Sequence, residues 1–143
     1  MIERLLKERI LILDGAMGTM LQRGCSIAQV HKQYIDAGAD IIETATFNLE
    51  GYERTYANAS IARKAADTAG RTVFVAGSLG PYDKMLSLSY DAMHPESRSC
   101  SFDELASIYK ENAEALIDAG VDLVLLECEC GEEAQERAEQ QDT

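Results

Sequence analysis

One short segment occurs twice in the chain and constrains the fold more than any other feature. The sequence DAGADII at 36–42 returns as DAGVDLV at 118–124, 82 residues later. Each copy has the pattern of a helix end, a glycine turn and a strand that is buried on both faces. A separation of this length indicates two units of one repeated architecture and not the short period of a solenoid.

Apolar runs alternate with helical patterns along the whole chain. The predicted strands are Ile10–Leu13, Asp40–Thr46, Thr72–Gly77 and Val121–Glu127, and the predicted helices are 26–37, 53–69, 102–119 and 131–140. This alternation predicts right-handed βαβ units and a parallel sheet. A closed TIM-type barrel has eight such units in about 250 residues. The predicted fold is therefore α/β, with about four of the eight (βα) units of a TIM-type barrel, as a half-barrel or truncated barrel. A small open sheet is the alternative.

Two helix starts carry the same capping signal. Ser26 with Gln29, and Ser101 with Glu104, have the spacing of a capping box. The apolar stripes that follow end at glycines, as expected for left-handed helix terminators.

The composition excludes several classes of partner. With 13 basic and 25 acidic residues, the chain has a net charge of −12 at pH 7. This charge repels nucleic acid and anionic membrane surfaces, and no apolar run is long enough for a membrane span. We expect one partial domain over 1–143, located in the cytoplasm, with an acidic helix or tail at 131–143.

Three carboxylates fall at the carboxyl ends of predicted strands. Asp14, Glu43 and Glu127 end the first, second and fourth strands, and such ends meet at one edge of a parallel sheet. Acceptor-only groups at one edge suit an ammonium group or a metal ion. The glycines of DGAMGT (14–19) and GSLGPY (77–82) expose backbone N–H donors at the same edge. Together these features favour a small zwitterion such as an amino acid.

The cysteines and histidines have simpler interpretations. Cys25 and Cys100 precede the capping serines, where a hydrophobic residue packs against the first helical turns. Cys128 and Cys130 could contribute two zinc ligands, but two ligands do not make a site. The sequence therefore predicts no metal site, and we expect His31 and His94 to be structural or solvated.

Four blocks of the sequence resemble the homocysteine S-methyltransferase family. They are ILDGAMGTMLQ (12–22), HKQYIDAGADIIETATFN (31–48), VAGSLGPYDKML (75–86) and ALIDAGVDLVLLE (115–127). The likeness is greatest to the homocysteine-binding barrel of cobalamin-dependent methionine synthase. In that family a (βα)8 barrel binds homocysteine and a zinc ion held by three cysteines, and methyl transfer to the homocysteine sulfur gives methionine.

The resemblance implies roles for residues of the predicted binding edge. Asp14 and Glu127 would accept the homocysteine ammonium group, and the backbone N–H groups of Gly15, Ala16 and Met17 would donate to its carboxylate. Thr46 would line the same pocket, beside Glu43 from the charge argument. No catalytic residue is assigned. The methyl donor is open: methylcobalamin, S-methylmethionine and betaine all serve in relatives.

The departures from the family pattern are equally informative. The family's zinc cysteines lie on later strands, and none of the four cysteines here matches a ligand position. We therefore expect a homocysteine-recognition half without the zinc half, inactive alone. Its open sheet edges predict self-association or pairing with a complementary C-terminal half. The alternatives are a non-catalytic binding or assembly module, and another barrel enzyme with a carboxylate-bound divalent metal.

Overall fold

The computed structural model describes residues 2–82, 89, 93–94 and 96–127. Its helices are α1 (Ile2–Glu8), α2 (Met17–Gln22), α3 (Ile27–Ala37), α4 (Tyr52–Asp67) and α5 (Phe102–Asp118). Its strands are β1 (Ile41–Glu43), β2 (Phe74–Leu79) and β3 (Leu123–Leu126). In this described part of the chain, no helix combines the length and apolar character that a membrane crossing requires.

The three strands form one parallel sheet in the order β1-β2-β3. Ile42 lies opposite Val75, and Gly77 lies opposite Val124. One further parallel bridge joins Leu13 to Ile41. The chain is therefore a mixed α/β fold in which four strand segments lie side by side in chain order.

The prediction of a first strand over Ile10–Leu13 is wrong in extent, because only the single bridge at Leu13 forms. On both sides of that bridge, a backbone N–H donates to an aspartate side chain and not to a carbonyl of the neighbouring strand. The N–H of Ile12 donates to Asp40 Oδ2 (3.1 Å), and the N–H of Glu43 donates to Asp14 Oδ1 (3.1 Å). A longer ladder would pair these N–H groups with carbonyls, so the two aspartates shorten it.

The other predicted strands form with changed bounds, because β1 ends at Glu43 and β2 continues to Leu79. The first three predicted helices form within one or two residues of their expected ends. Both capping boxes are confirmed: Ser26 with Gln29, and Ser101 with Glu104. The predicted helix 131–140 and the tail 131–143 lie outside the described residues.

Two short helices, α1 and α2, were not predicted. Neither contains a buried residue. With 7 and 6 residues, each is also too short for helical periodicity to be recognised in the sequence.

The core lies between the sheet and a layer of helices. Consecutive helices pack side by side, α3 on α4 and α4 on α5, and each also contacts the sheet. One core cluster consists of Ile35, Ala39, Ile42, Ala62, Ala66, Val73 and Val75. A second consists of Ala59, Leu79, Leu116 and Ala119. Alanines on α4 let this helix approach the strands and both neighbouring helices closely.

The repeated segment forms the same joint twice. Asp40 donates its N–H to the carbonyl of Ile12 (2.8 Å), and its carboxylate accepts the Ile12 N–H. In the same way, the Asp122 N–H donates to the Val75 carbonyl (2.9 Å), and the Asp122 carboxylate accepts the Val75 N–H (2.8 Å). Arginines complete both joints: Arg9 donates to Asp40 and Arg63 to Asp122. In each copy of the repeat, the aspartate before a strand thus joins that strand to the neighbouring one. We call the pairs Asp40–Ile12 and Asp122–Val75 the aspartate clamps.

His31 of α3 is fully buried, and neither ring nitrogen has a hydrogen-bond partner among the described residues. Burial lowers the pKa of His31 from 6.5 to about 4. The unfolded chain therefore takes up a proton between pH 6.5 and 4 that the folded chain does not, and stability falls as the pH falls through this window. We expect His31→Leu to remove a pH-dependent loss of about 2–3 kcal/mol, measured by urea unfolding.

His94→Leu is the matched control, because the His94 side chain is exposed beside Glu96. It shows what the loss of an exposed histidine alone does to the acid dependence. An unaltered acid dependence in His31→Leu would contradict the buried, neutral state of His31. Contributions from other groups cancel in the difference between each variant and the parent chain.

Candidate functional site

Three acidic side chains lie together at the carboxyl edge of the sheet. Asp14 follows the Leu13 bridge, Glu43 ends β1, and Glu127 follows β3. The charge of Glu43 acts on Asp14, and the charge of Glu127 acts on Glu43. We call these three residues the carboxylate rim. The structure therefore places them at one edge, as the strand pattern predicts.

Asp14 is held by one carboxylate oxygen only. Its Oδ1 accepts the Glu43 N–H, whereas its Oδ2 is buried and has no hydrogen-bond partner among the described residues. Burial raises the pKa of Asp14 to about 7, and the nearby charge of Glu43 adds to the effect of burial. The Glu43 N–H opposes this rise. A ligand that brought a positively charged donor to Oδ2 would relieve both the burial and the repulsion.

The other two rim carboxylates differ in their contacts. Glu127 accepts a hydrogen bond from the hydroxyl of Ser78, a side chain that is 1% exposed. Burial, followed by the charge of Glu127, raises the pKa of Glu43. The rim therefore concentrates negative charge that its own surroundings only partly satisfy.

Hydroxyl groups close a ring of hydrogen bonds beneath the rim. Thr46 Oγ1 donates to the Ser78 carbonyl (2.7 Å), and the Ser78 N–H donates to Thr44 Oγ1 (2.9 Å). The Thr44 and Thr46 hydroxyls are 2.6 Å apart. Since Thr46 has already used its proton, Thr44 is the donor in this pair. The proton of the Thr46 hydroxyl is thus used in a bond between the segment after β1 and strand β2. Towards a ligand, Thr46 could only pack or accept a hydrogen bond.

The segment after Asp14 passes beneath a tyrosine. Tyr34 Oη of α3 donates to the Ala16 carbonyl (3.3 Å). A methyl group at Gly15 would lie 3.0 Å from the same oxygen, so the ring rests against this glycine. Ala16 precedes α2, which begins at Met17 and receives no side-chain cap. The ring of Tyr34 therefore sets the position of the backbone that presents the N–H groups of 15–17.

The second glycine segment differs from the prediction. The Gly80 N–H donates to the Phe47 carbonyl (3.1 Å) and is therefore not free for a ligand. A Cβ at Gly80 would lie 2.3 Å from that carbonyl oxygen, so this position needs glycine for backbone packing.

Sequence reasoning missed three residues of this region. They are Tyr34, Thr44 and Ser78, and the sequence pattern assigns none of them a role in the site. Small hydroxyl residues at the ends of buried strands were the available signal, because they can satisfy backbone groups where a ladder stops.

The described residues do not supply a metal site. In 2–82, 89, 93–94 and 96–127, no group of three His, Cys, Asp or Glu side chains could hold a metal ion. A divalent metal bound by Asp14, Glu43 and Glu127 therefore has no support. Cys25 and Cys100 are free thiols of intermediate burial, and neither belongs to such a group of three ligands. Cys128 and Cys130 lie outside the described residues.

Replacing Asp14 with asparagine should stabilise the folded chain at alkaline pH. Because the folded pKa of about 7 lies above the ordinary 3.8, the folded state is favoured by the proton at low pH, and this contribution is lost as the pH rises through 7. Asparagine keeps an acceptor for the Glu43 N–H without the charge. We expect a gain of about 1–2 kcal/mol at pH 8, reduced for partial exposure, that disappears near pH 4.

Urea unfolding at both pH values measures this effect. Asp36→Asn is the control, because Asp36 is an exposed carboxylate of α3 paired with Lys32. A loss of stability in Asp14→Asn at pH 8 would show that Asp14 is not electrostatically strained.

Comparison with known families identifies the family of this chain. The sequence model of the homocysteine S-methyltransferase family matches residues 11–136 of the 143-residue chain. The matched range contains every member of the carboxylate rim, the threonines beneath it and the segment under Tyr34. This chain belongs to the homocysteine S-methyltransferase family.

Proposed function

We propose that the carboxylate rim is the amino-acid-recognition part of a homocysteine site. Asp14 and Glu127 accept the ammonium group of the ligand, and the backbone N–H groups of Gly15, Ala16 and Met17 donate to its carboxylate. The observation that carries this proposal is the buried Oδ2 of Asp14, which has no hydrogen-bond partner among the described residues.

The charges of the site favour a cationic group over other polar groups. An ammonium group has three donors and a full positive charge, whereas carboxylates only accept. The charge of Glu43 acts on Asp14, and the charge of Glu127 acts on Glu43. The role of Glu43 in the proposal is to strengthen the local negative potential, which a bound ammonium group reduces.

The reaction assigned to this site is methyl transfer to the homocysteine sulfur, giving methionine. The described cysteines do not fit the zinc ion that the family implies, so the proposal assigns substrate recognition to this chain and no catalytic residue. The methyl donor, whether methylcobalamin or another compound, stays open. A cytoplasmic location stays a prediction.

The architecture supports a partial TIM-type barrel. Leu13, β1, β2 and β3 follow one another in chain order across a parallel sheet, whereas a doubly wound sheet reverses its strand order. The packing of α3, α4 and α5 side by side fits the outer helical layer of a barrel. In this order Asp14 follows the first segment and Glu127 the last.

Ligand titration tests the recognition proposal. We expect L-homocysteine and L-methionine to bind the purified chain saturably in a calorimeter. Asp14→Asn and Glu127→Gln should each weaken binding by about 30-fold or more, because each removes a charge that pairs with the ammonium group. Asp36→Asn, an exposed site on α3, should bind like the parent chain.

The pH dependence adds a second readout for methionine, which has no thiol. Since the pKa of Asp14 is about 7, affinity should fall by up to about tenfold per pH unit below this value. Saturable binding that neither variant weakens would exclude the rim. An absence of heat from folded protein would favour the second candidate, a binding or assembly module.

The edges of the sheet favour an assembly role alongside recognition. Ile10, Ile12 and Leu13 are exposed at one edge, and Val124 and Leu126 are exposed at the other. Unpaired strand edges with apolar side chains tend to pair with further strands. We propose that a second copy or a complementary C-terminal half covers them.

Sedimentation velocity of the purified chain tests this pairing. We expect a species larger than 15.7 kDa whose fraction increases with concentration. Leu126→Lys at one edge should shift the distribution towards monomer, whereas Tyr56→Lys, an exposed residue of α4, should not. A stable monomer at all concentrations would contradict self-association.

A further inference from the structure

Ser78 connects the hydroxyl ring beneath the rim to one of its carboxylates. Its backbone N–H and carbonyl are held by Thr44 and Thr46, and its side chain donates to Glu127 Oε1. The residue lies on β2, the central strand of the three, and is 1% exposed. Ser78 is therefore a fixed point from which a bond reaches the edge of the site.

Glu127 needs such an anchor more than Asp14 does. It follows β3, a strand whose ladder partner in the described sheet is β2 alone. Its N–H donates to the Leu79 carbonyl (2.9 Å), which fixes its backbone, but the side chain has rotatable bonds beyond that point. A hydrogen bond at Oε1 restricts these rotations and leaves acceptor positions on both oxygens for a donor.

We infer that Ser78 is a positioning residue of the ligand site, whose hydroxyl holds Glu127 in the orientation that receives the ammonium group. The inference rests on the proposed recognition of an amino acid by the rim. It assigns Ser78 no contact with the ligand, because its single proton is used on Glu127.

Ser78→Ala removes this bond with little disturbance elsewhere. The substitution keeps the backbone groups that bond to Thr44 and Thr46, and it leaves no buried donor without an acceptor on its own side chain. Hydrogen bonds to charged groups are among the stronger ones, so L-methionine affinity should fall about 10-fold to 100-fold in calorimetry. Ser78→Thr, which keeps the hydroxyl, should restore most of the loss.

Thr55→Val separates positioning from general stability. It deletes a buried hydroxyl of α4 that donates to Asn112 Oδ1 of α5 (2.6 Å), outside the carboxylate rim and the hydroxyl ring beneath it. We expect Thr55→Val to lower the thermal midpoint at least as much as Ser78→Ala while affinity stays within about threefold of the parent chain. A purely structural role of Ser78 would instead reduce affinity and stability in parallel in both variants.

The outcomes distinguish this inference from the function on which it rests. If the parent chain does not bind methionine, both fail. If the parent chain binds and Ser78→Ala binds within about twofold of it, or Thr55→Val loses as much affinity as Ser78→Ala, only the Ser78 inference is overturned. Should Ser78→Ala not fold, Ser78→Cys makes the same test, because a thiol of similar size is a weak donor and should also lower affinity.

Discussion

The sheet depends on an aspartate that precedes a strand and forms hydrogen bonds to the backbone of the neighbouring strand segment. In a parallel pair the hydrogen bonds are slanted, so an N–H and a carbonyl of that neighbouring segment need partners just before the next strand begins. Asp40 provides both for Ile12, and Asp122 provides both for Val75. Gly38 and Gly120, with φ of +105° and +80°, turn the chain so that each aspartate reaches that position. The clamp thus sets the register of the sheet and, with it, which residues reach the opposite edge.

At the carboxyl edge side chains also bond to the backbone of a neighbouring strand, but here the side chain comes from the earlier strand in the chain. Asp14 takes the N–H of Glu43, and Thr44 takes the N–H of Ser78, so a side chain of each strand bonds to the backbone of the next. The hydroxyl of Ser78 then continues the series to Glu127. These polar side chains take the place of backbone partners where the ladder ends, and two of their bonds involve the rim carboxylates Asp14 and Glu127. The bonds that end the ladder therefore also hold part of the candidate site.

The sequence predicted the elements well where a local rule applied. Ser26 and Ser101 cap helices in the expected way, and the repeated segment forms equivalent joints. The sequence-based predictions were wrong where hydrogen bonds between residues distant in the sequence determine the structure. The strand at 10–13 is shortened by Asp14 and Asp40, acting through residues about 30 positions away, and the Gly80 N–H is used by Phe47. A donor's partner is fixed only once the strands are side by side, so no local pattern could reveal these bonds.

Two aspartates of this fold have different roles, one in the stability of the sheet and one in the proposed recognition of a ligand. Asp40 lies at the start of β1 with Arg9 and the Ile12 N–H, and these partners lower its pKa to about 2. Asp14 has one backbone donor and a buried, unpartnered oxygen, and burial raises its pKa to about 7. The first carboxylate is satisfied by the chain itself and stabilises the fold over the whole neutral range. The charge of the second is relieved by a proton below about pH 7, or by a cation that a ligand provides. A site that binds an ammonium group needs such an unsatisfied carboxylate, and the fold tolerates it because its register is set by the clamps at the other end of the sheet.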